Sequence, residues 1–222
     1  TGRKLRVDTN KGRAGYRVYY AAYVLAGVAV LLYCINSLPG GLWRDISLFV
    51  TLIIIADFVQ IPLPRGGSSI STSSAIDLAG IILFGPAVMV VVETISTLIT
   101  EGLLQRRPLR KLVFNIPLLA VTVGSSGYVY RAFGDMGSPD SPMFLIPLLA
   151  AGVVYYMVNT WSISLVIALD SHRNPFYVWM QNYMWYFFHI FAFLPIGAVI
   201  ALLYANTGMW TTALFIIPLF LA

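Results

Sequence analysis

The chain has 222 residues, of which 59% are hydrophobic and 10% are charged, and its formal net charge is +5. Soluble domains carry about 25% charged residues, so this composition excludes a soluble protein and predicts an all-α polytopic membrane bundle. The positive charge concentrates near the start and in one short loop, which indicates topology and not a nucleic-acid-binding surface. One cysteine, Cys34, excludes internal disulfides and cysteine metal clusters.

The predicted organisation is a basic arm, residues 1–17, followed by a single transmembrane domain, residues 18–222. The arm holds six arginines and lysines against Asp8 alone, so the positive-inside rule places it in the cytoplasm. The chain begins without methionine and stops inside the apolar run FIIPLFLA. We therefore expect a longer protein, with a cytoplasmic output domain missing from the C-terminal end.

Apolar runs predict seven or eight transmembrane helices. The predicted spans are residues 18–35, 46–61, 71–84, 87–104, 112–130, 143–169 and 185–204, with an eighth from Met209. Span 3, residues 71–84, corresponds to about 21 Å of helix, which is short for a core of about 30 Å. We therefore expect it to be tilted, re-entrant or broken, and sheltered by its neighbours.

Two basic segments test this count. Eight crossings put the N-terminal arm and the loop QRRPLRK, residues 105–111, together on the cytoplasmic side. Seven crossings with a re-entrant span 3 would separate them, so eight is favoured. Residues 176–186, which are aromatic and partly polar, are expected along the membrane interface.

Small residues and prolines predict local features within the spans. Ala22 and Ala26 form a small-xxx-small pair that permits close helix approach. The small cluster at residues 124–127 predicts either tight packing or a kink, and Pro195 predicts a kink in span 7. The hydroxyl-rich segment 61–86 opens with prolines and glycines and ends at a Gly-Pro pair, so we interpret it as a site, a gate or a hinge.

Ionisable residues inside the spans are the candidates for chemistry. They are Asp57, Asp77, Glu93, Glu101 and His189. A carboxylate at mid-membrane costs about 2.5–3.5 kcal/mol, so protonation, a partner, water or a ligand must compensate. No lysine or arginine lies at mid-span to do so. A ligand or ion pathway and a purely structural polar network both remain open.

Glu93 is the leading candidate because Thr97 and Thr100 follow it at i+4 and i+7, on one helix face that must point inward together with Glu101. Asp57 and Asp77 are expected nearer a membrane boundary. These residues are predicted to bind a small ligand.

A second candidate region is aromatic. Asn159 and Trp161, together with His189, could line a hydrogen-bonding pocket, although interfacial aromatic belts have the same composition. His189 fits an interfacial or hydrogen-bonded imidazole better than a metal ligand. The spans hold no HExxH, no cysteine–histidine grouping and no nucleophile elbow, so we predict no catalytic residue, metal or cofactor in this chain.

The run VQIPLPRGGSSISTSSAIDLAGIILFGP, an acidic fourth span and RRPLRKLVFN resemble the multispan N-terminal region of bacterial membrane-bound HD-GYP proteins. In that family a helical membrane domain precedes a cytoplasmic cyclic-di-GMP phosphodiesterase, and related versions precede GGDEF cyclases. The resemblance implies a sensory domain in the bacterial inner membrane, a small or lipophilic ligand, and a homodimer formed through the output domain. The HD and GYP motifs themselves do not occur in these residues.

The same central run also resembles the substrate-binding S components of energy-coupling-factor vitamin transporters. Those proteins likewise combine a proline-containing helix end, a polar loop and a short helix that ends in Leu-x-Gly-Pro. In that family the loop is extracellular, whereas the positive-inside rule places residues 62–74 of this chain in the cytoplasm. A transport subunit is therefore the second hypothesis, and a membrane anchor without a ligand is the third.

Overall fold

The computed structural model describes residues 9–58, 60–62, 69–134, 141 and 143–221, and this part of the chain is helical apart from two short strands. The elements, in chain order, are α1 (Thr9–Asn36), α2 (Trp43–Phe58), β1 (Gln60–Pro62), β2 (Ser69–Ser71), α3 (Ser73–Thr97) with a π-helical continuation (Leu98–Leu104), α4 (Leu109–Ala132), α5 (Leu145–Ser171), α6 (Pro175–Asn182) and α7 (Tyr186–Leu221). Helix α1 begins within the predicted basic arm, and residues 1–8 of that arm lie outside the described residues.

Five of the described helices are long and apolar enough to cross a membrane. They cover Ala14–Asn36, Ser73–Leu104, Leu109–Ala132, Leu145–Ser171 and Tyr186–Ile216. Helix α2 has 16 residues and begins three residues before the predicted span 2. The chain is thus a helical membrane protein, whereas the predicted number of seven or eight crossings is not confirmed.

Helix α3 is a hairpin of two arms, residues 73–84 and 86–97, and not a straight rod. Gly85 has φ 79° and ψ −179°, a backbone conformation that is essentially restricted to glycine, and Pro86 follows it. A Cβ added at Gly80 would overlap the thioether of Met89. In a straight helix these two residues would be about 13.5 Å apart along the axis. The chain therefore folds back on itself at Gly85, where the sequence predicted the boundary between spans 3 and 4.

Helix α7 contains a second glycine of the same kind. Gly208 has φ 79° and ψ −178°, with helical torsions on either side. Because backbone torsions determine the path of a chain, the same angles between two helical arms give the same change of direction. The break lies beside Met209, where an eighth span was predicted to begin. At Pro195 the backbone keeps helical torsions, so α7 continues through this residue.

Contacts between helix ends show that the helices alternate in direction. At one end, the Arg110 guanidinium at the start of α4 lies over the Tyr16 ring near the start of α1, 5.0 Å from its centroid. The same guanidinium is 3.5 Å from Asp170, near the end of α5. At the opposite end, edge-to-face contacts join α2, the tip of the α3 hairpin and α7 through Phe49, Phe84 and Tyr204.

The α3 hairpin lies at the centre of the bundle, in contact with α1, α2, α4, α5 and α7. Small residues allow close approach around it: a Cβ at Gly127 of α4 would lie 2.7 Å from Pro86, and one at Gly197 of α7 would lie 2.8 Å from the Ala75 carbonyl oxygen. The cluster at residues 124–127 thus provides tight packing, and α4 continues through it.

The close helix approach on α1 differs from the expected one. Ala22 and Ala26 are exposed on the protein surface, and the close approach occurs instead at Gly27, where an added Cβ would overlap Pro117. The fold class is helical, as predicted, and the described residues add one short antiparallel pair, β1 and β2, with Gln60 opposite Ser71. This small hairpin belongs to the hydroxyl-rich segment, and its loop, residues 63–68, lies outside the described residues.

Candidate functional site

The most polar place in the bundle core is the facing pair of carboxyl groups of Asp77 and Glu93, called here the carboxyl pair. One residue comes from each arm of the α3 hairpin. Asp77 is 0% exposed and Glu93 is 3% exposed. Their carboxyl groups are close enough to interact with each other, although 16 residues of straight helix would separate them by about 24 Å. The reversal at Gly85 therefore creates the pair.

Neighbouring hydroxyl groups satisfy one oxygen of each carboxyl group. The Tyr155 hydroxyl of α5 donates to Asp77 Oδ2 over 2.7 Å. The Thr97 hydroxyl donates to Glu93 Oε1 over 3.4 Å, from the next turn of the same arm. The two remaining oxygens, Asp77 Oδ1 and Glu93 Oε2, are buried and have no donor. Two ionised carboxylates cannot hydrogen-bond to each other, whereas one proton between them would provide the missing hydrogen bond.

The electrostatics of the pair also favour such a proton. Two unit charges about 4 Å apart repel by about 4 kcal/mol at the effective dielectric constant of about 20 that applies in proteins. Asp57, at the end of α2, interacts electrostatically with both carboxyl groups and adds a third acidic group. Like charges that share a buried site do not all ionise together. A proton or another cation between the two groups would remove this repulsion.

Two further buried hydroxyl groups lack hydrogen bonds, one beside Asp77 and one farther along the chain in the π-helical segment. Ser74 lies one helical turn before Asp77 and is 2% exposed, and its Oγ has no partner of hydrogen-bond geometry, although the Tyr186 hydroxyl of α7 is its neighbour. Thr100 is 1% exposed, and its Oγ1 is likewise unpaired. Buried polar groups without partners are uncommon in proteins and indicate a functional role or an unseen small partner.

The predicted stripe on span 4 is partly correct. Glu93, Thr97 and Thr100 are all buried, as their spacing indicated. Glu101 is less buried than these three residues, with 15% of its side chain exposed, and it has polar partners of its own. It lies in the π-helical segment, where the Arg107 guanidinium is 2.9 Å from its Oε1 and the Asn115 amide donates to both of its oxygens. A cation from the loop thus compensates the Glu101 charge.

The predicted aromatic region forms a separate cluster. Trp161 stacks on Trp179 of α6 with ring centroids 5.5 Å apart, and Asn159 lies half-buried on the same helix, α5. The Trp179 indole donates to the Thr160 hydroxyl, which fastens α6 to α5. No contact described for Asn159 or Trp161 joins either one to the carboxyl pair.

His189 lies between the aromatic cluster and the hairpin. Its imidazole stacks on Tyr186 and meets Phe193 edge to face, with centroids 5.8 Å and 4.2 Å away. Its Nε2 is buried without a hydrogen bond. Among the described residues, no three His, Cys, Asp or Glu side chains are grouped closely enough to hold a metal ion.

Sequence reasoning did not assign Tyr155 to the site. It had no local signal, because its partner Asp77 lies 78 residues away in the sequence. Asp77 is fully buried within the bundle, whereas Asp57 is half-buried at a helix end.

Comparison with known proteins leaves the family of this chain open. No protein-family model matches it, and neither the curated proteins nor the solved structures include a match. The resemblances to HD-GYP membrane regions and to transporter S components therefore stay hypotheses. The geometry of the carboxyl pair is the main physical basis for assigning a function to the chain.

Proposed function

We propose that this chain is the membrane-embedded sensory domain of a bacterial signalling protein and that it controls a cytoplasmic HD-GYP-type cyclic-di-GMP phosphodiesterase. The observation that supports this function is the carboxyl pair across the α3 hairpin. A sensory domain needs an element with two packings that a signal binds with different affinity. A hairpin with two facing acids between its arms is such an element, because neutralisation of the acids decides whether the arms attract or repel.

The position of the hairpin suits transmission of a signal. The hairpin contacts the helices α1, α2, α4, α5 and α7. A change in the separation of its two arms therefore alters the packing of the whole bundle. Helix α7 packs directly on the first arm, where Gly197 meets the backbone of Ala75. In our proposal this change in packing passes along α7 to the output domain. The protein works as a homodimer whose two copies associate through that output domain.

The orientation follows from the charges at the two ends of the bundle. Arg106, Arg107, Arg110 and Lys111 lie at the end where α1 begins and α5 finishes. By the positive-inside rule this basic end faces the cytoplasm, with the N-terminus. In this arrangement, the two arms of α3 and the two arms of α7 bring the number of membrane segments to eight.

Two measurements test the signalling function. We expect the coding sequence beyond Ala222 to encode an HD-GYP or GGDEF domain, and a stop codon within a few residues would exclude this function. In cells that express the full-length protein, Glu93→Gln and Asp77→Asn should each change the cyclic-di-GMP level at least several-fold. Glu101→Gln is the matched control, because Glu101 pairs with Arg107 outside the carboxyl pair. Equal cyclic-di-GMP in all variants would contradict the proposal.

A solute-binding transport subunit is the second candidate, and the two broken helices favour it. Helices α3 and α7 are both interrupted by a glycine of nearly identical torsions, and discontinuous helices commonly line the sites of transporters. Proteoliposomes that contain the purified chain and its energising subunits should then accumulate a radiolabelled vitamin, and Glu93→Gln should abolish the accumulation. A chain that supports no accumulation but changes cyclic-di-GMP is a sensor.

A further inference from the structure

We propose that the carboxyl pair is a binding site for a single proton and that loss of this proton separates the two arms of the α3 hairpin. The binding site rests on the burial of the two carboxyl groups, their unpaired oxygens and the contact between the two arms, whereas its consequence for signalling rests on the proposed function above. The proton would lie between Asp77 Oδ1 and Glu93 Oε2, the two buried oxygens that lack a donor.

The other contacts of the pair leave room for one proton and no more. Tyr155 supplies the hydrogen for Asp77 Oδ2, and Thr97 supplies the hydrogen for Glu93 Oε1. Each of these hydroxyl groups has a single hydrogen to donate. A single additional proton therefore completes the hydrogen bonds of both carboxyl groups.

Titratable groups from three other helices surround the pair. Asp57 of α2 acts electrostatically on both carboxyl groups and favours a bound proton, because a third negative charge raises the cost of full ionisation. Tyr155 of α5 and Tyr186 of α7 face the pair as neutral hydroxyl groups. His189 stacks on Tyr186, and its Nε2 is buried without a partner.

The enclosure of the site favours a proton over a larger cation. Asp77 and Glu93 are 0% and 3% exposed, and Ser74 beside them is 2% exposed. An organic amine would have to displace packed side chains to reach them. Asp57 does not complete a group of three acids that could hold a metal ion among the described residues. The remaining competitor is a monovalent ion such as Na⁺, which Ser74 Oγ could help to bind.

The hairpin converts the bound proton into a change of shape. Its two arms are in contact at Gly80 and Met89 and at the carboxyl pair. They are joined at Gly85, whose backbone torsions hold the chain reversal in place. When both carboxyl groups ionise, two like charges face each other with no hydrogen between them. We expect the ends of the arms away from Gly85 to move apart, towards the β1–β2 hairpin that precedes the first arm.

Infrared difference spectroscopy of the purified chain in lipid nanodiscs tests the bound proton. We expect the C=O stretch of one protonated carboxyl group at neutral pH and its loss at high pH. The band should be absent from Asp77→Asn and from Glu93→Gln and retained in Glu101→Gln. Tyr155→Phe, which keeps both acids and removes one donor, should shift the frequency of the band without abolishing it. Absence of the band from the wild type would overturn the proposal.

Hydrogen–deuterium exchange in the same nanodiscs tests the movement. After correction for intrinsic exchange, protection of residues 73–84 should fall at least tenfold as the band disappears, and Glu93→Gln should show no such fall. Repeating both measurements with choline in place of Na⁺ separates the two cations: a band or a protection change that depends on Na⁺ at constant pH would overturn the proton in favour of sodium. Proton binding without any effect on cyclic-di-GMP would instead overturn the sensory function alone.

Discussion

The two broken helices of this protein share one backbone conformation but lie in different surroundings. Gly85 in α3 and Gly208 in α7 both have φ 79°, with ψ near 180°. In the most apolar 18-residue stretch of α3 and its π-helical continuation, 78% is buried inside the protein. The corresponding share for α7 is 33%. Beyond Gly208 the chain exposes Trp210, Leu214 and Phe215. The reversal is thus a property of the local backbone, whereas a polar pair is kept only where other helices enclose the two arms.

The largest expected effect comes from forcing the arms of α3 apart. Gly80→Leu would place a side chain where the Met89 thioether lies. We expect the free energy of unfolding to fall by about 3 kcal/mol, which is the upper end of the range typical for overpacked cores. Thermal unfolding in detergent measures this loss. Met89→Ala in the same chain should restore part of the stability by making space. Gly102→Ala is the control, since its Cβ would meet Leu112 at an ordinary 3.4 Å. Additive effects of Gly80→Leu and Met89→Ala would argue against a folded-back α3.

An intermediate effect is expected at the two glycines themselves. Gly85→Ala and Gly208→Ala should each cost about 1–3 kcal/mol, because both torsion pairs lie in a region essentially restricted to glycine. Neither added Cβ would meet another atom within 4 Å, so backbone strain is the whole cause. The loss in free energy of unfolding should therefore be similar in the two variants. The cyclic-di-GMP level in cells, in contrast, should change more with Gly85→Ala than with Gly208→Ala. An equal response to the two substitutions would remove the special role of the α3 hairpin.

The smallest effect is expected on the exposed arm of α7. Leu214 is 78% exposed, and Leu214→Ala should change the free energy of unfolding by less than about 0.5 kcal/mol in detergent. We also expect this variant to keep the wild-type proton band and cyclic-di-GMP level, which would set the α7 arm apart from the α3 hairpin in function as well as in burial. A fall in the free energy of unfolding of more than about 2 kcal/mol would mean that another protein surface covers this arm.

Much of the helical framework could be predicted from hydrophobic runs. The predicted spans 112–130 and 143–169 fall on α4 and α5, because long apolar runs between polar turns leave little choice of boundary. The pairing of β1 with β2 was missed, since three-residue strands carry no periodicity that a sequence can reveal.

The site was less predictable than the fold. The spacing of Glu93, Thr97 and Thr100 was enough to find one buried face, since a helical period depends on local sequence alone. The partner of Glu93 was not predictable in this way. Asp77 was treated as a separate candidate, and Tyr155 was not singled out, because both contacts depend on how distant segments pack.

The amino-acid sequence alone determined the place of the corner: a glycine that tolerates positive φ, followed by a proline that cannot continue the hydrogen bonds of the preceding helix, at Gly85–Pro86. The tertiary structure decided what this corner brings together. The packing of α2, α4, α5 and α7 around the arms closes the hairpin and removes water from Asp77 and Glu93. Two acids that the sequence separates by a break become one buried pair, because the reversal at Gly85 and the packing of distant helices bring them together away from water.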